Sequence, residues 1–237
     1  MSNTNPKKSW VENPKKLWVE GATDKRVIPY LMEKNGIRWP DNPPPVFIKD
    51  HGGCNILSKK LTESEYLSTQ LQTSGLTHLG IIVDADTELL QNTENKPAGR
   101  WQSLRDACLK CEYIESLPEK FPSGGLIQNI DNDIKFGIWI MPDNQNQGML
   151  ETFLAYLVPD QSDCLWQFAR KAAQEARENY QANFKEVHRD KANIYTWLAW
   201  QDEPGRQLHE AINETIFNAT HPKAQDFVNW FKNLYDL

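Results

Sequence analysis

His78-Leu79-Gly80-Ile81-Ile82-Val83-Asp84-Ala85-Asp86 is the stretch on which the fold turns. It is apolar at odd and even positions alike and too short for a typical helix, so it reads as a strand buried on both faces. Such strands belong in the middle of a mostly parallel sheet, and this one runs out into two carboxylates. Upstream, Leu17-Trp18-Val19-Glu20 is another short β-prone run, closed at once by Gly21. Thr23 is placed to cap a helix beginning at Asp24, whose charge suits a positive helix end. Val27, Ile28, Leu31 and Met32 recur at helical spacing, with Pro29 near enough the start to be tolerated. PVFIKD, ending at Asp50, gives a further strand, followed by the glycine-rich turn His51-Gly52-Gly53-Cys54. Asn55 to Leu71 reads as one helical segment.

Downstream, the polar stretch TENKPAGR leads into a helix near Trp101 to Tyr113. GGLIQNI and FGIWIMP are two more strands separated by the turn signal DNDIK. Strand–helix alternation to about residue 142 predicts a mostly parallel sheet with helices on its faces. After Gly148 the texture is helical throughout, as in MLETFLAYLV and PKAQDFVNWFKNLY. The organisation expected is a polar flexible tail over 1–12, an α/β domain over 13–158 and a helical extension over 159–237 packed on it.

Composition narrows the function classes. The 237 residues carry 26 Lys and Arg against 32 Asp and Glu, a formal charge of −6, so a protein that coats nucleic acid by bulk electrostatics is excluded. Nine tryptophans need a core, which argues against disorder. No apolar run approaches the roughly 18–20 residues of a bilayer helix. MSNTNPKKSW has no apolar core of a signal peptide, so a cytoplasmic location is expected. Cys108 and Cys111 form a C-x-x-C within a helical pattern, and without a second close Cys or His pair they read as buried helix cysteines.

In an open parallel sheet, ligands bind where strands end at their carboxyl termini. Glu20 ends one strand, Asp50 another, Asp84 and Asp86 a third, and Asp143 follows a fourth just past Pro142. Carboxylates gathered on one sheet edge repel unless a cation neutralises them, and hard oxygen donors suit Mg²⁺ or Mn²⁺. Alternate residues of an extended chain point the same way, so Asp84 and Asp86 can converge on one ion.

Val19-Glu20-Gly21-Ala22-Thr23-Asp24, followed by Ile81-Ile82-Val83-Asp84-Ala85-Asp86, resembles the Toprim signature of topoisomerases, primases, recombination mediators and OLD-family nucleases. The E-x-x-x-D spacing of Glu20 and Asp24 is similar to the OLD branch. GIWIMPDNQNQGMLE and HRDKANIYTWLAWQDEPG resemble a small bacterial family of stand-alone OLD-like Toprim proteins. The resemblance implies a Toprim-like Rossmannoid α/β fold with an all-helical C-terminal extension. It also implies a two-ion Mg²⁺ or Mn²⁺ site from Glu20, Asp24, Asp84, Asp86, Asp143 and Glu151, with Glu20 and Lys191 as catalytic residues. Lys191 matches the lysine such nucleases place near the scissile phosphate. No Walker G-x-x-x-x-G-K-[ST] occurs, so ATP-driven control would come from a separate ATPase or defence partner.

His51, Gly52, Gly53 and His188 are the candidate substrate contacts, the glycines because a phosphate can approach bare backbone closely. Arg170, Lys171, Arg177, Lys185, Arg189 and Lys191 read either as a modest phosphate-binding face or as an ordinary solvated one, since acids interrupt them. Trp197, Trp200, Phe227, Trp230 and Phe231 read as core rather than as a base-stacking platform. The function expected is hydrolysis of nucleic-acid phosphodiesters, DNA first, by a chain without membrane contact and able to self-associate. The alternatives are a non-catalytic Toprim binding module and a nuclease subunit silent until its partner docks.

Overall fold

The computed structural model describes residues 13–85 and 99–237. Asp86 and the expected N-terminal tail lie outside the described residues. Five strands form one sheet: β1 (Lys15–Val19), β2 (Phe47–Asp50), β3 (His78–Asp84), β4 (Leu126–Ile130) and β5 (Ile134–Met141). Their order is β2-β1-β3-β5-β4, parallel throughout except for the antiparallel β4–β5 edge. The expected mixed α/β architecture with a mostly parallel sheet flanked by helices is therefore the one the chain forms, with β3 at its centre.

The helices among the described residues are α1 (Ala22–Lys34), α2 (Cys54–Thr62), α3 (Ser64–Leu71), α4 (Arg100–Cys108), α5 (Leu150–Ala155), α6 (Asp163–Asn179), α7 (Arg189–Leu198), α8 (Leu208–Asn213) and α9 (Pro222–Tyr235). The single helix expected over Asn55–Leu71 is two, because Glu63 adopts extended backbone at φ −72° and ψ 111°. Thr62 on one side of it donates its hydroxyl to the Lys59 carbonyl at 2.6 Å, closing the first helix. Helix α1 begins before Thr23, at Ala22, and the Gly21 amide donates to the Asp24 carboxylate at 3.2 Å. No helix among the described residues is long and apolar enough to cross a membrane.

Period-two alternation sends β-strand side chains to two cores. Leu17, Val19, Ile82, Trp139 and Met141 join α1, α5 and the C-terminal helices on one face. Trp18, Ile81, Val83, Phe136, Ile138 and Ile140 join α2, α3 and α4 on the other. The first core runs without a break from the strands into Trp197, Phe227, Trp230 and Phe231, so four members of the aromatic stripe are core. Trp200 departs from it: it is 41% exposed and stacks on Phe168 at 5.3 Å.

Gly80 and Gly137 stand side by side in the β3–β5 register. A Cβ on Gly80 would lie 2.3 Å from the Tyr235 hydroxyl, and one on Gly137 2.8 Å from Leu234. The paired glycines form the trough in which α9 lies. At its far end α9 meets the amino ends of the strands, where Asp236 accepts from His78 at 2.9 Å and Lys135 at 2.7 Å. The carboxyl ends of the parallel strands are left for the site.

Candidate functional site

Glu20, Asp24, Asp84 and Glu151 line one pocket of about 210 Å³, with Gly21, Gly53, His188 and Lys191. Each acid reaches it for a local reason. Glu20 is the first residue past β1 and Asp84 the last of β3, so both sit at the carboxyl edge of adjacent parallel strands. Asp24 stands in the first turn of α1 and accepts from its own N-terminal backbone. Glu151 stands in the first turn of α5, and the Leu150 amide at that same helix end donates to Asp84 at 3.2 Å. Two helix N-termini thus face the acids, a favourable field for negative charge.

The loop that brings α5 there is tightly tied. Gly148 donates to the Ala85 carbonyl at 3.1 Å, continuing β3 by one bridge beyond Asp84. A Cβ on Gly148 would fall 2.5 Å from the Thr152 hydroxyl, so only glycine lets this loop close on its helix. Thr152 in turn accepts from the Met149 amide at 3.1 Å and donates to Asp190 at 2.6 Å. That bond joins α5 to the start of α7, which carries Lys191 to Glu151 at 3.0 Å.

The electrostatics show the cost of gathering these groups. Burial raises the Asp24 pKa from 3.8 to about 6, and the Glu151 charge adds to the rise, against the backbone hydrogen bonds and Lys191. Partial burial acts to lower the Lys191 pKa, but Glu151 and Asp84 together hold it above the ordinary lysine value. Glu20, 5% exposed, is ion-paired with Arg100. Arg100 was not among the residues singled out from sequence, because a lone arginine opening a helix carries no spacing signal.

Asp143 and His51 are placed elsewhere. The Asp143 carboxylate closes its own loop, accepting from the Gln145 and Asn146 amides at 3.1 and 2.8 Å and from the Tyr156 hydroxyl at 3.1 Å. The His51 ring is buried edge-on to Trp18, 3.1 Å from the Tyr66 hydroxyl, with the Val19 carbonyl beyond its other nitrogen. Burial, with the charges of Lys49 and Lys60, lowers its pKa to about 4, so it is a neutral packing residue. Of the His-Gly-Gly turn, Gly53 lines the pocket, and its amide donates to the Glu20 carbonyl at 2.7 Å.

Four carboxylates with glycine backbone and a lysine suit a hard divalent ion by donor chemistry. Among the described residues no three Asp, Glu, His or Cys side chains stand close enough to grip a single ion. An ion held by Glu20 and Glu151 would compete with Arg100 and Lys191, which pair with their Oε1 atoms.

A family model described as a protein of unknown function (DUF3226) matches residues 14–236. Among solved structures, the chain is similar to the C-terminal region of the Burkholderia pseudomallei OLD protein, at 12% identity and a TM-score of 0.48, over 94% of this chain and 98% of that one. No curated protein matches.

Proposed function

The chain belongs to the DUF3226 family of proteins of unknown function, and from its acidic pocket we propose that it is a divalent-metal-dependent phosphodiesterase acting on nucleic acid, DNA first. The carrying observation is that Glu20, Asp24, Asp84 and Glu151, from three separate stretches of chain, share one pocket with Lys191. The order and spacing of Val19-Glu20-Gly21-x-x-Asp24 and Asp84-x-Asp86 support the same reading. Those four acids, with Asp86, are the residues that would hold Mg²⁺ or Mn²⁺, one ion or two. A bound ion of this kind polarises a phosphate and makes hydroxide available near neutral pH. The chain itself does the rest. Gly21 and Gly53 leave the pocket wall bare enough for a phosphate, and His188 is among the residues that line it. Lys191, turned from Glu151, offsets negative charge that grows on the phosphate in the transition state, a contact worth roughly 2–4 kcal/mol.

The test is incubation of the pure protein with supercoiled DNA, linear DNA and RNA in Mn²⁺ or Mg²⁺, beside Asp84→Ala. Metal-dependent cleavage that disappears in the variant is the expected result. Cleavage that survives in Asp84→Ala, or none in the parent on any substrate, sinks the catalytic reading.

A second reading has its own observation. Arg100 on Glu20 and Lys191 on Glu151 already neutralise two of the acids, as suits a non-catalytic module that binds nucleic acid, or a nuclease held silent until an ATPase or defence partner moves those cations. Cleavage appearing only with a partner present would select the silent-subunit form.

A further inference from the structure

Beside the acidic pocket lies a larger cavity of about 500 Å³, and Met149 lines both. One wall is α6, which presents Gln167, Arg170, Lys171 and Gln174 to it. These positions are spaced i, i+3, i+4 and i+7, a single stripe of a helix. The stripe is exposed, and part of its donor capacity is used along the helix: Gln167 donates to Asp163 at 3.1 Å, Gln174 to Glu178 at 2.8 Å and Arg170 to Gln167 at 3.2 Å, with the Arg170 guanidinium 6.0 Å from the centre of the Trp166 ring. A neighbouring face of α6 supplies the buried Trp166, Ala169 and Ala173. The other walls are the Gly148 loop with Thr152, and the start of α7 with Arg189 and Asn193.

The acids in this cavity are already engaged. Glu186 pairs with Arg177 and Arg189, and Asp190 accepts from Thr152. That leaves Arg170 and Lys171 as cations turned to the cavity without an acid on them among the described ion pairs. Asn193 is 4% exposed, and its Oδ1 finds no hydrogen-bond partner among the described residues; as an acceptor it suits a sugar hydroxyl and not a phosphate oxygen. Among the described residues no aromatic ring lines the cavity, so they offer no platform on which bases stack.

We propose that this cavity is the track for the sugar–phosphate backbone of a nucleic acid next to the phosphate being cleaved, with Arg170 and Lys171 neutralising two flanking phosphates. The proposal rests on the phosphodiesterase reading of the adjoining pocket. It adds that the chain holds its substrate by charge and not by base identity, through the α6 stripe. The −6 formal charge of the whole chain then confines attraction for a polyanion to this local groove.

The experiment is fluorescence anisotropy of the full chain with single-stranded and duplex oligonucleotides over a salt series, with Ca²⁺ present and, separately, EDTA. The double variant Arg170→Ala/Lys171→Ala is set beside Lys110→Ala/Lys120→Ala, whose lysines are exposed far from the cavity in sequence and outside its lining. Each phosphate contact contributes roughly 0.7 to the slope of log K against log salt on single strands and roughly 0.9 on duplex. The cavity variant should flatten the slope by roughly 1.4 on single strands or roughly 1.8 on duplex, and weaken binding about tenfold or more. Whichever substrate shows the change is the one the track accepts. The control pair should keep the parent slope, and oligo-dT and oligo-dA should bind within a few-fold of each other.

Slopes that fall equally in both pairs, or in neither, overturn the track. So does a tenfold preference between the two homopolymers. Asp84-dependent cleavage, measured on the same preparations, separates the readings: retained cleavage with an unchanged slope removes the track alone. Absence of both binding and cleavage in the parent removes the phosphodiesterase with it.

Discussion

Arg100 and Glu20 are paired almost out of water, at 16% and 5% side-chain exposure. Removing one member of such a pair leaves a buried charge, typically at a cost of about 3–5 kcal/mol. Arg100→Ala should therefore melt lower than the parent in EDTA. If the pocket takes a cation, millimolar Mn²⁺ should restore more stability to this variant than it adds to the parent, because the ion no longer competes with an arginine for Glu20. A ligand at a hundred times its Kd contributes about 2.7 kcal/mol by mass action. Thermal melts of both proteins with and without Mn²⁺ check this, and melts that Mn²⁺ leaves unmoved in both remove the metal site. His51 makes a different prediction. Its pKa is depressed from 6.5 to about 4, so the unfolded chain takes up a proton first. Its contribution to stability is whole above pH 6.5 and drains away as pH falls toward 4. The loss should be on the order of 1–3 kcal/mol, read from urea melts at pH 7.5 and 5. His51→Gln should show a smaller difference between the two pH values; equal differences would mean the ring titrates normally. Strand ends and a short motif are local signals, and they point to Glu20, Asp24 and Asp84; Glu151 and Lys191, which line the same pocket, follow only from the family resemblance. The sequence does not show that the His51 ring turns inward, because a glycine turn does not reveal which way the preceding side chain faces.

At the scale of elements, the site depends on how α5 and α7 are held together. Thr152 is the joint: it caps the start of α5 through the Met149 amide and reaches Asp190 at the start of α7. Thr152→Val keeps the shape and removes both bonds. Loss of a cap typically costs about 1 kcal/mol, and Asp190 is left without its donor, so a total of about 1–3 kcal/mol is expected. The same change frees the α7 start, so cleavage should fall with it through Lys191. In a double-mutant cycle, Thr152→Val and Asp190→Asn should couple by about 0.5–3 kcal/mol. Additive effects would mean that the two helices are positioned independently. None of this joint was legible from sequence, although both helices were. The 3–4 spacing of apolar residues announces a helix, but a threonine–aspartate bond across 38 positions has no periodicity to announce it. The stripe on α6 was half legible for a similar reason. Its basic residues read as a face, whereas the cavity that they line with Gln167 and Gln174 forms only against the Gly148 loop.

At the scale of the whole molecule, the fastening of α9 and the acidic pocket lie at opposite ends of the strands. The acids collect at the carboxyl ends of the parallel strands. At the amino ends, Asp236, held at a pKa of about 2 by hydrogen bonds from Lys135 and His78, and the Tyr235 carbonyl, bonded by Lys15, fasten α9. Between them Tyr235 donates its buried hydroxyl to the Lys16 carbonyl at 2.8 Å, above the Gly80–Gly137 trough. The β3 pattern made its burial on both faces plain from sequence. It could not show that Gly80 is there to admit a helix more than 140 residues later in the chain. Gly80→Ala drives a methyl against Tyr235, Leu17 and Leu234 at 2.3–2.9 Å. Overpacking of this kind costs about 1–3 kcal/mol, which in a chain of this size lowers Tm by roughly 2–4 °C per kcal/mol. Tyr235→Phe removes the atom most crowded by the methyl, so Gly80→Ala should cost less in that background than in the parent. Because α9 is fastened away from the acids, the cleavage rate per folded molecule should stay at the parent value well below the melt. Differential scanning calorimetry with single-turnover cleavage on the same samples reads both quantities. A Gly80→Ala protein that melts with the parent means that the trough yields, and one that melts lower and also cleaves more slowly means that the sheet carries strain through to the pocket.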